Sequence, residues 1–163
     1  MSATPPPVPL SRDEEAVMRA IARLMLVLPR MLDADLVHDQ RMPMSEYATL
    51  RTLSEAPGRI MRMSELATAC FMSLSGMTRL AAKLESVGYL ARLPCESDGR
   101  GFNAVLTDAG LARLQEAWPS HLASVRRRIF DHLGDVDLPQ FAAVLTAMTA
   151  PVGPACDSAG CDA

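Results

Sequence analysis

The chain has 163 residues and a formal net charge of −3, and 49% of its residues are hydrophobic but only 4% aromatic. These values suit one globular domain, or a domain with an attached helical module, whose core is built from Leu, Ala, Val and Met. The first residues have neither a basic nor an apolar region. The longest apolar run, 20–28, is interrupted by Arg23 and is far below the roughly 20 residues of a membrane span. We therefore expect a cytoplasmic protein with no membrane partner.

Two helices are predicted before the Pro57-Gly58 pair. Ser11 and Glu14 have the spacing of a capping box, and they open a long helix with apolar residues at the 3.6-residue period. Those residues are Val17, Ile21, Leu24, Leu28 and Leu32. Pro29 lies inside the pattern and should kink the helix or divide it near Val27. After a connection over 39–43, Ser45 should cap the second helix.

The segment 64–88 has the pattern of two short helices joined by a tight turn. Ser64 can cap the first helix, and Ser73 can cap the second. The apolar face of the first is Leu66, Ala67 and Cys70, and that of the second is Met77, Leu80, Ala81, Leu84 and Val87. Gly88 can end the second helix in the left-handed conformation. Its opposite face carries short side chains and then basic ones, which suits a helix whose N-terminus approaches DNA bases.

Beyond Gly88 the apolar period changes from 3.6 to 2. Two strand-like runs, 89–93 and 103–106, flank a turn-forming segment, 97–101, and Arg59 to Arg62 should add an edge strand. Arg100 stands between two glycines and could enter a narrow minor groove, although a solvated turn arginine is an equally simple interpretation. Between Arg59 and Phe102 six basic residues face four acidic ones, so a local charge of +2 sits on an otherwise acidic chain.

The last third of the chain is predicted to be helical. Thr107 should cap a helix that runs past an interior Pro119 to about Leu133, where Gly134 ends it. A final helix should begin near Asp137-Leu138-Pro139. The long first helix and these two carry more apolar surface than a small domain can cover, which indicates a partner.

Several motifs agree in order and spacing over about 50 residues. They are Ser64-Glu65-Leu66-Ala67, Met77-Thr78-Arg79-Leu80, Leu84-Glu85 with Gly88, then Arg92, and Asp98-x-Arg100 followed by Leu106-Thr107-x-x-Gly110. In this the chain resembles the MarR family of winged-helix transcriptional regulators. The resemblance implies a mainly α fold with a small antiparallel β-wing, that is, a winged helix-turn-helix with a helical dimerisation domain. It also implies a two-fold homodimer on an imperfectly palindromic operator.

Four positions depart from the family pattern. Leu74 stands where the family generally has a polar or basic residue, Gly76 where it has Ser or Thr, Ala82 where it has Asp, and Gly99 where it often has a second basic residue. Leu74 can contact a thymine methyl but cannot recognise a pattern of hydrogen-bond donors and acceptors. The role of the recognition helix is therefore carried over from the family, but its base preference is not.

On this basis we divide the chain into five parts. They are a disordered Pro-rich arm (1–10), an N-terminal dimerisation helix with its connection (11–43), a winged helix-turn-helix DNA-binding domain (44–106), C-terminal dimerisation helices (107–150) and a disordered tail (151–163).

The function expected is that of a sequence-specific, double-stranded DNA-binding transcriptional regulator, a repressor and a homodimer. The expected DNA-binding residues are Arg62, Ser64, Ser73, Leu74, Ser75, Gly76, Thr78, Arg79, Lys83, Arg92, Asp98 and Arg100. The family resemblance also implies a small aromatic or phenolic effector that weakens DNA binding. The candidate ligand residues are His38, Tyr47, Arg51 and Trp118, each of which is equally well explained as a packing or surface residue.

The sequence offers no paired catalytic carboxylates, phosphate-binding glycine loop or nucleophile motif, so we expect neither an enzyme nor a cofactor. No metal site is expected either. His121 and His132, eleven residues apart, suit hydrogen bonding better than zinc, and the spacing of Cys156 and Cys161 is a weak metal signature.

Two alternatives remain open at this stage. The small basic excess, together with Leu74 and Gly76, would also suit a winged-helix protein-interaction module that does not bind DNA. Cys70 is interpreted as a small buried hydrophobe, but Cys95 in the wing, near Arg92, is a candidate thiol sensor, so a thiol-controlled regulator is the second alternative.

Overall fold

The structure, a computed structural model, describes residues 8–94 and 101–150. Within these ranges the helices are α1 (Arg12–Gln40), α2 (Met44–Glu55), α3 (Met63–Ala69), α4 (Leu74–Ser86), α5 (Asp108–Arg128) and α6 (Leu138–Thr149). The strands are β1 (Ile60–Arg62), β2 (Leu90–Pro94) and β3 (Phe102–Leu106), and short 3-10 turns span Pro57–Arg59 and Phe130–His132. The predicted fold class, mainly α with a small antiparallel wing, is confirmed.

The sheet is built around β3, which pairs antiparallel with both other strands. Ile60 lies opposite Val105 in one ladder, and Leu90 lies opposite Leu106 in the other. The edge strand predicted from Arg59 to Arg62 is therefore confirmed, as are the two strands of the wing. Asp98, Arg100 and Cys95 lie outside the described residues, as do Cys156 and Cys161 of the tail.

The main hydrophobic core is formed where α2, α3 and α4 meet the sheet. Leu50, Leu66, Met77, Leu84 and Ala104 are completely covered there. The apolar stripes predicted for α3 and α4 face this core: most of their residues are buried, Cys70 and Leu80 are half-buried, and one residue is exposed. Val87 is 53% exposed, because α4 has already ended at Ser86.

Three of the predicted helix caps are present. Ser11 and Glu14 form the capping box of α1, with the Glu14 amide 3.3 Å from the Ser11 hydroxyl. Thr107 accepts from the Gly110 amide at 3.0 Å. Ser73 caps α4 in the same way. Asp137, which the sequence predicts only to lie near the start of the last helix, caps α6. Each cap lies within three residues of its donor, so local sequence is sufficient to predict it.

The caps predicted at Ser45 and Ser64 are wrong, because both serines lie inside the first helical turn. Helix α2 begins at Met44, two residues earlier than a cap at Ser45 implies. The Met44 amide donates at 2.7 Å to the carboxylate of Asp33, which belongs to α1. Helix α3 follows β1 directly, with Arg62 in the capping position and no side-chain cap. A cap supplied by another helix, or omitted after a strand, has no local sequence signal.

The two interior prolines do not divide their helices. Helix α1 is a single helix of 29 residues with Pro29 in its interior, and α5 is a single helix of 21 residues with Pro119 in its interior. Of the kink or division near Val27 that the sequence predicts, the division is therefore wrong, and the kink stays a prediction. A proline costs one backbone hydrogen bond, whereas α1 is held against α5 by packing at Leu36 and by the Asp35 carboxylate. The predicted end of α5 near Leu133 is also late, since the α-helix stops at Arg128.

Asp35, a half-buried carboxylate on α1, joins this helix to α5 by accepting four hydrogen bonds. Arg128 donates Nε at 3.0 Å and Nη2 at 2.9 Å, Arg127 donates at 2.9 Å, and the buried Ser124 hydroxyl donates at 2.5 Å. These bonds, Arg128 first and Ser124 next, hold the pKa of Asp35 well below its ordinary value.

The outermost helices carry many apolar side chains that the single chain leaves uncovered. Every residue of α6 is exposed. In α1, Val17, Met18, Leu24, Met25 and Leu26 are each more than half exposed. Among the residues that the structure describes, no helix combines the length and the apolar character that a membrane crossing requires.

Candidate nucleic-acid interface

Helices α3 and α4 are joined by a tight turn at 70–73. Phe71 adopts a left-handed backbone there, with φ +53°, and its side chain is 99% exposed. The Ser73 hydroxyl then accepts from the Gly76 amide at 3.1 Å and starts α4. With Met77, Ala81 and Leu84 directed into the core, the opposite side of α4 is presented to solvent.

A cleft of about 320 Å³ lies between the N-termini of α3 and α4 and the base of the wing. Its lining residues are Arg62, Met63, Ser64, Leu74, Thr78, Arg92, Gly101 and Phe102. We call this the wing cleft. Five of the residues expected to bind DNA therefore share one surface, although they are spread over 30 residues of sequence. The sequence did not assign Met63, Gly101 or Phe102 to this surface. Of the three, only Phe102 could have been recognised from the sequence, because it is an aromatic residue at the base of the wing.

Two of the basic residues expected to contact DNA are paired with carboxylates. Arg92 donates Nε to Glu85 Oε2 at 2.8 Å, and its backbone amide donates to Glu85 Oε1 at 3.2 Å. Hydrogen bonding from Arg92 lowers the pKa of Glu85. The Lys83 ammonium donates to Glu46, a buried carboxylate on α2. The Arg92–Glu85 pair fastens β2 to α4, so it orients the wing relative to this helix.

Arg79 differs from these two residues. It is exposed on α4 and makes no ion pair with any residue that the structure describes. Its guanidinium is therefore available to an anion without displacing an internal carboxylate. Of the basic residues expected on α4, Arg79 is accordingly the stronger candidate for a phosphate or base contact.

The four candidate ligand residues do not form one site. Tyr47 and Arg51 line a cavity of about 350 Å³ between α2, the end of α3 and α5, together with His121 and Cys70. Trp118 lies with Arg51 in a neighbouring concavity of about 270 Å³. His38 is elsewhere, exposed in the last turn of α1 and 2.8 Å from Asp39.

His121 is a member of the first cavity that sequence reasoning did not assign to ligand binding. Its ring centroid lies 4.4 Å from that of Tyr47. The Tyr47 hydroxyl and His121 Nδ1 are both buried, and neither has a hydrogen-bond partner among the described residues. Burial raises the pKa of Tyr47, and burial followed by the charge of Arg51 lowers that of His121. The residues that line the cavity thus include two buried polar groups that make no hydrogen bond within the described part of the chain.

Cys70 lies beside this cavity, half-buried, with its thiol 3.6 Å from the Thr52 hydroxyl. This position agrees with its interpretation as a small hydrophobe packed against α2. Within the described ranges there is no cluster of three or more His, Cys, Asp or Glu side chains that could hold a metal ion.

Two helices joined by a tight turn, with a three-stranded wing packed beside the second helix, define a winged helix-turn-helix module. A family model described as the MarR family matches residues 42–101. The HTH-type transcriptional regulator PecS of Dickeya dadantii (strain 3937) is 30% identical over 112 residues, which are 68% of this chain and 66%, just under two thirds, of that relative.

Two solved structures are similar over nearly the whole chain. Sco3205, a MarR family transcriptional regulator from Streptomyces coelicolor in complex with DNA, is 33% identical, with a TM-score of 0.81 over 96% of this chain and 97% of that one. AbsC, a MarR family regulator from the same organism, is 34% identical, with a TM-score of 0.77 over 87% and 95%. The chain therefore belongs to the MarR family of transcriptional regulators.

Proposed function

We propose that the protein is a repressor that binds a specific double-stranded DNA operator, with α4 in the major groove and the wing beside it. The observation that carries this proposal is the wing cleft, which places the exposed start of α4 next to Arg62 and the base of the wing. Arg79 adds to the same helix a cation that has no ion-pair partner among the described residues. The likeness to Sco3205, solved with DNA, supports the same function.

The test is a titration of the purified protein onto the DNA upstream of its own gene, at several salt concentrations. Specific affinity should fall steeply with salt because phosphate contacts release counterions. Arg79→Ala should weaken binding and lower the slope of the log–log salt plot by about 1 per chain. Arg19→Ala, an exposed arginine on α1 that is paired with Glu15, is the matched control and should leave the slope unchanged.

A protein that binds no upstream DNA, and selects no sequence from a random pool, would contradict the proposal. That result would favour the alternative of a protein-interaction module. For a protein that does bind, transcription in vitro from the bound promoter decides the sign of regulation, and a repressor should lower the amount of transcript.

We further propose that the active form is a homodimer in which α1, α5 and α6 of two chains pack together. The support is the uncovered apolar surface of α6, where Phe141, Val144 and Leu145 are all more than one-third exposed in the single chain. A two-fold dimer would present two α4 helices to half-sites about one turn of DNA apart, and the operator should then be an imperfect palindrome.

Light scattering should give twice the 17.6 kDa mass of one chain. Leu145→Asp should shift the mass towards that of a monomer, because it places a charge on the apolar face of α6. Thr146→Asp, a charge at an exposed polar position of the same helix, should not. A wild-type protein of monomeric mass would overturn the dimer.

The cavity at Tyr47 and His121 is proposed as the effector site, for a small aromatic or phenolic anion. A carboxylate or phenolate would pair with Arg51, which now bonds to Glu55 at 2.9 Å. It would also accept from the Tyr47 hydroxyl once the residues that cover this group have moved. The ring of the effector would lie against the Tyr47 and His121 rings. Such a ligand would satisfy a buried donor, and this is the physical reason to expect affinity.

Calorimetry with benzoate and 4-hydroxybenzoate as probes tests this site. Tyr47→Phe keeps the ring and removes the hydroxyl, so it should weaken binding of a bound probe by about 3- to 10-fold, the value of one hydrogen bond. Tyr89→Phe is the control, since Tyr89 lies outside the cavity. Equal affinities for wild type, Tyr47→Phe and Arg51→Ala would contradict the assignment.

A further inference from the structure

The first turn of α4 presents one large side chain, and that side chain is apolar. Leu74 is the first residue of the helix and is 53% exposed, although it stands on the surface proposed to meet DNA. Gly76 has no side chain, and Ser75 has a short one. The group that projects farthest from the start of α4 is therefore an isobutyl group, which has no hydrogen-bonding capacity.

The nearby hydroxyl groups are already engaged within the protein. The Thr78 hydroxyl donates at 2.8 Å to the carbonyl oxygen of Leu74. Ser73 caps the helix and lies 3.2 Å from the Ser75 hydroxyl. A hydroxyl whose single proton is donated internally can only accept from a base. Of the Ser73 and Ser75 hydroxyls one donates to the other, so only one hydroxyl proton of this pair stays available to a base. Hydrogen-bond donation from these side chains to a base is therefore limited to that proton.

Apolar groups also surround Leu74 in the wing cleft. Met63 lines it and is 7% exposed, while Phe102 is 50% exposed on the wing side. Arg62 and Arg92 line the same cleft, so charged groups that suit phosphates lie beside an apolar patch. In the major groove the thymine C5-methyl is the apolar group that distinguishes one base pair from another.

We propose that Leu74 contacts a thymine C5-methyl in each half-site and makes the protein selective for thymine at that position. The inference rests on the proposed function, because it requires α4 to lie in the major groove. It assigns a methyl-dependent component to sequence recognition, carried by a residue whose side chain forms no hydrogen bond.

The experiment compares a specific upstream DNA fragment with the same fragment synthesised with uracil in place of every thymine. Uracil keeps the hydrogen-bonding pattern of thymine and lacks only the methyl group. Loss of one buried methyl corresponds to about 4-fold in affinity, or ~0.8 kcal/mol. With two half-sites, the wild-type dimer should therefore bind the uracil fragment about 15-fold more weakly.

The variant Leu74→Ala should bind the two fragments with affinities within about 2-fold of each other, since it lacks the atoms that reach the methyl. Val87→Ala is the matched control: Val87 has the same 53% exposure and directly follows the last residue of α4. This control should keep the full difference between thymine and uracil. Circular dichroism of all three proteins checks that each is folded.

The outcomes separate the inference from the function on which it rests. Equal wild-type affinities for the two fragments would overturn the role of Leu74 while leaving specific DNA binding intact. A thymine preference that persists in Leu74→Ala would assign the effect to DNA shape or to another residue, and would also overturn the inference. If no specific fragment is bound at any salt concentration, the proposed function fails and the inference fails with it.

Discussion

Gly110, in the first turn of α5, is predicted to tolerate no larger side chain. A Cβ atom at this position would lie 2.1 Å from the Tyr89 carbonyl oxygen and 2.8 Å from Leu106 Cδ1. Ordinary van der Waals contact begins at 3.4 Å, so the carbonyl would have to move by about 1.3 Å. That carbonyl is held in place, because the Thr107 amide donates to it at 3.3 Å and the Tyr89 amide donates to Leu84 at 2.9 Å.

Two opposing terms determine the effect of Gly110→Ala on the free energy of unfolding. Alanine is favoured over glycine in a helix by about 1 kcal/mol. Overpacking costs about 1 to 3 kcal/mol, and the upper end applies here because the obstacle is backbone and not a flexible side chain. The net loss should be about 2 kcal/mol, which lowers the melting temperature of a chain of this size by about 4 to 8 °C.

Urea denaturation followed by circular dichroism measures this loss, and an unchanged m-value shows that both proteins unfold in the same way. Ala112→Gly, at an exposed position of the same helix, is the control that measures helix propensity alone and should cost about 1 kcal/mol. A Gly110→Ala protein as stable as wild type would refute the reasoning. The Tyr89 carbonyl would then be able to move away from the new Cβ without any loss of stability.

Three further predictions concern stability. Asp35→Asn should cost about 2 kcal/mol, because the carboxylate accepts charged hydrogen bonds, chiefly from Arg128. Since the pKa of Asp35 is lowered on folding, wild type should lose the stability that this carboxylate contributes below about pH 4, and the variant should show no such loss. If the free energies of unfolding of the two proteins fell in parallel as the pH is lowered, this prediction would be wrong. The pKa of His121 is also lowered, first by burial and then by the charge of Arg51. The free energy of unfolding should therefore be highest above about pH 6.5 and should fall below that pH, where the unfolded state binds the proton more readily. His121→Phe should reduce that fall in urea titrations, and an unaltered pH profile would exclude His121 as its source. In thermal melts, Ser73→Ala should lower the free energy of unfolding by about 1 kcal/mol and Ser73→Gly by only a few tenths. Equal losses in the two variants would show that the effect does not come from helix capping.

Much of the fold could be predicted because its signals are local. The caps at Ser11, Ser73 and Thr107 bond to amides three residues away. The apolar period of α4 selects the side that meets the core, and the positive φ of Gly88 lies just after that helix ends. Such features depend on a few neighbouring residues, so the sequence specifies them before the chain folds.

The errors arise where a distant residue decides a local outcome. Asp33 of α1 accepts from the first amide of α2, and this helix therefore begins before Ser45. Helix α1 continues through Pro29, a residue whose local effect opposes a helix. In both cases a contact between helices outweighs a local preference of about 1 to 3 kcal/mol.

The sequence by itself determined the helix-turn-helix, the wing strands and the residue types of the proposed recognition surface, because periodicity and short-range caps encode them. Only the tertiary structure decided which charges remain available there. It paired Arg92 with Glu85 across two elements, and Lys83 with Glu46 across 37 residues, and it left Arg79 without an internal partner among the described residues. It also brought Tyr47 and His121 together from separate helices. Ion pairs and cavities depend on distances between elements, and those distances exist only after the helices have packed.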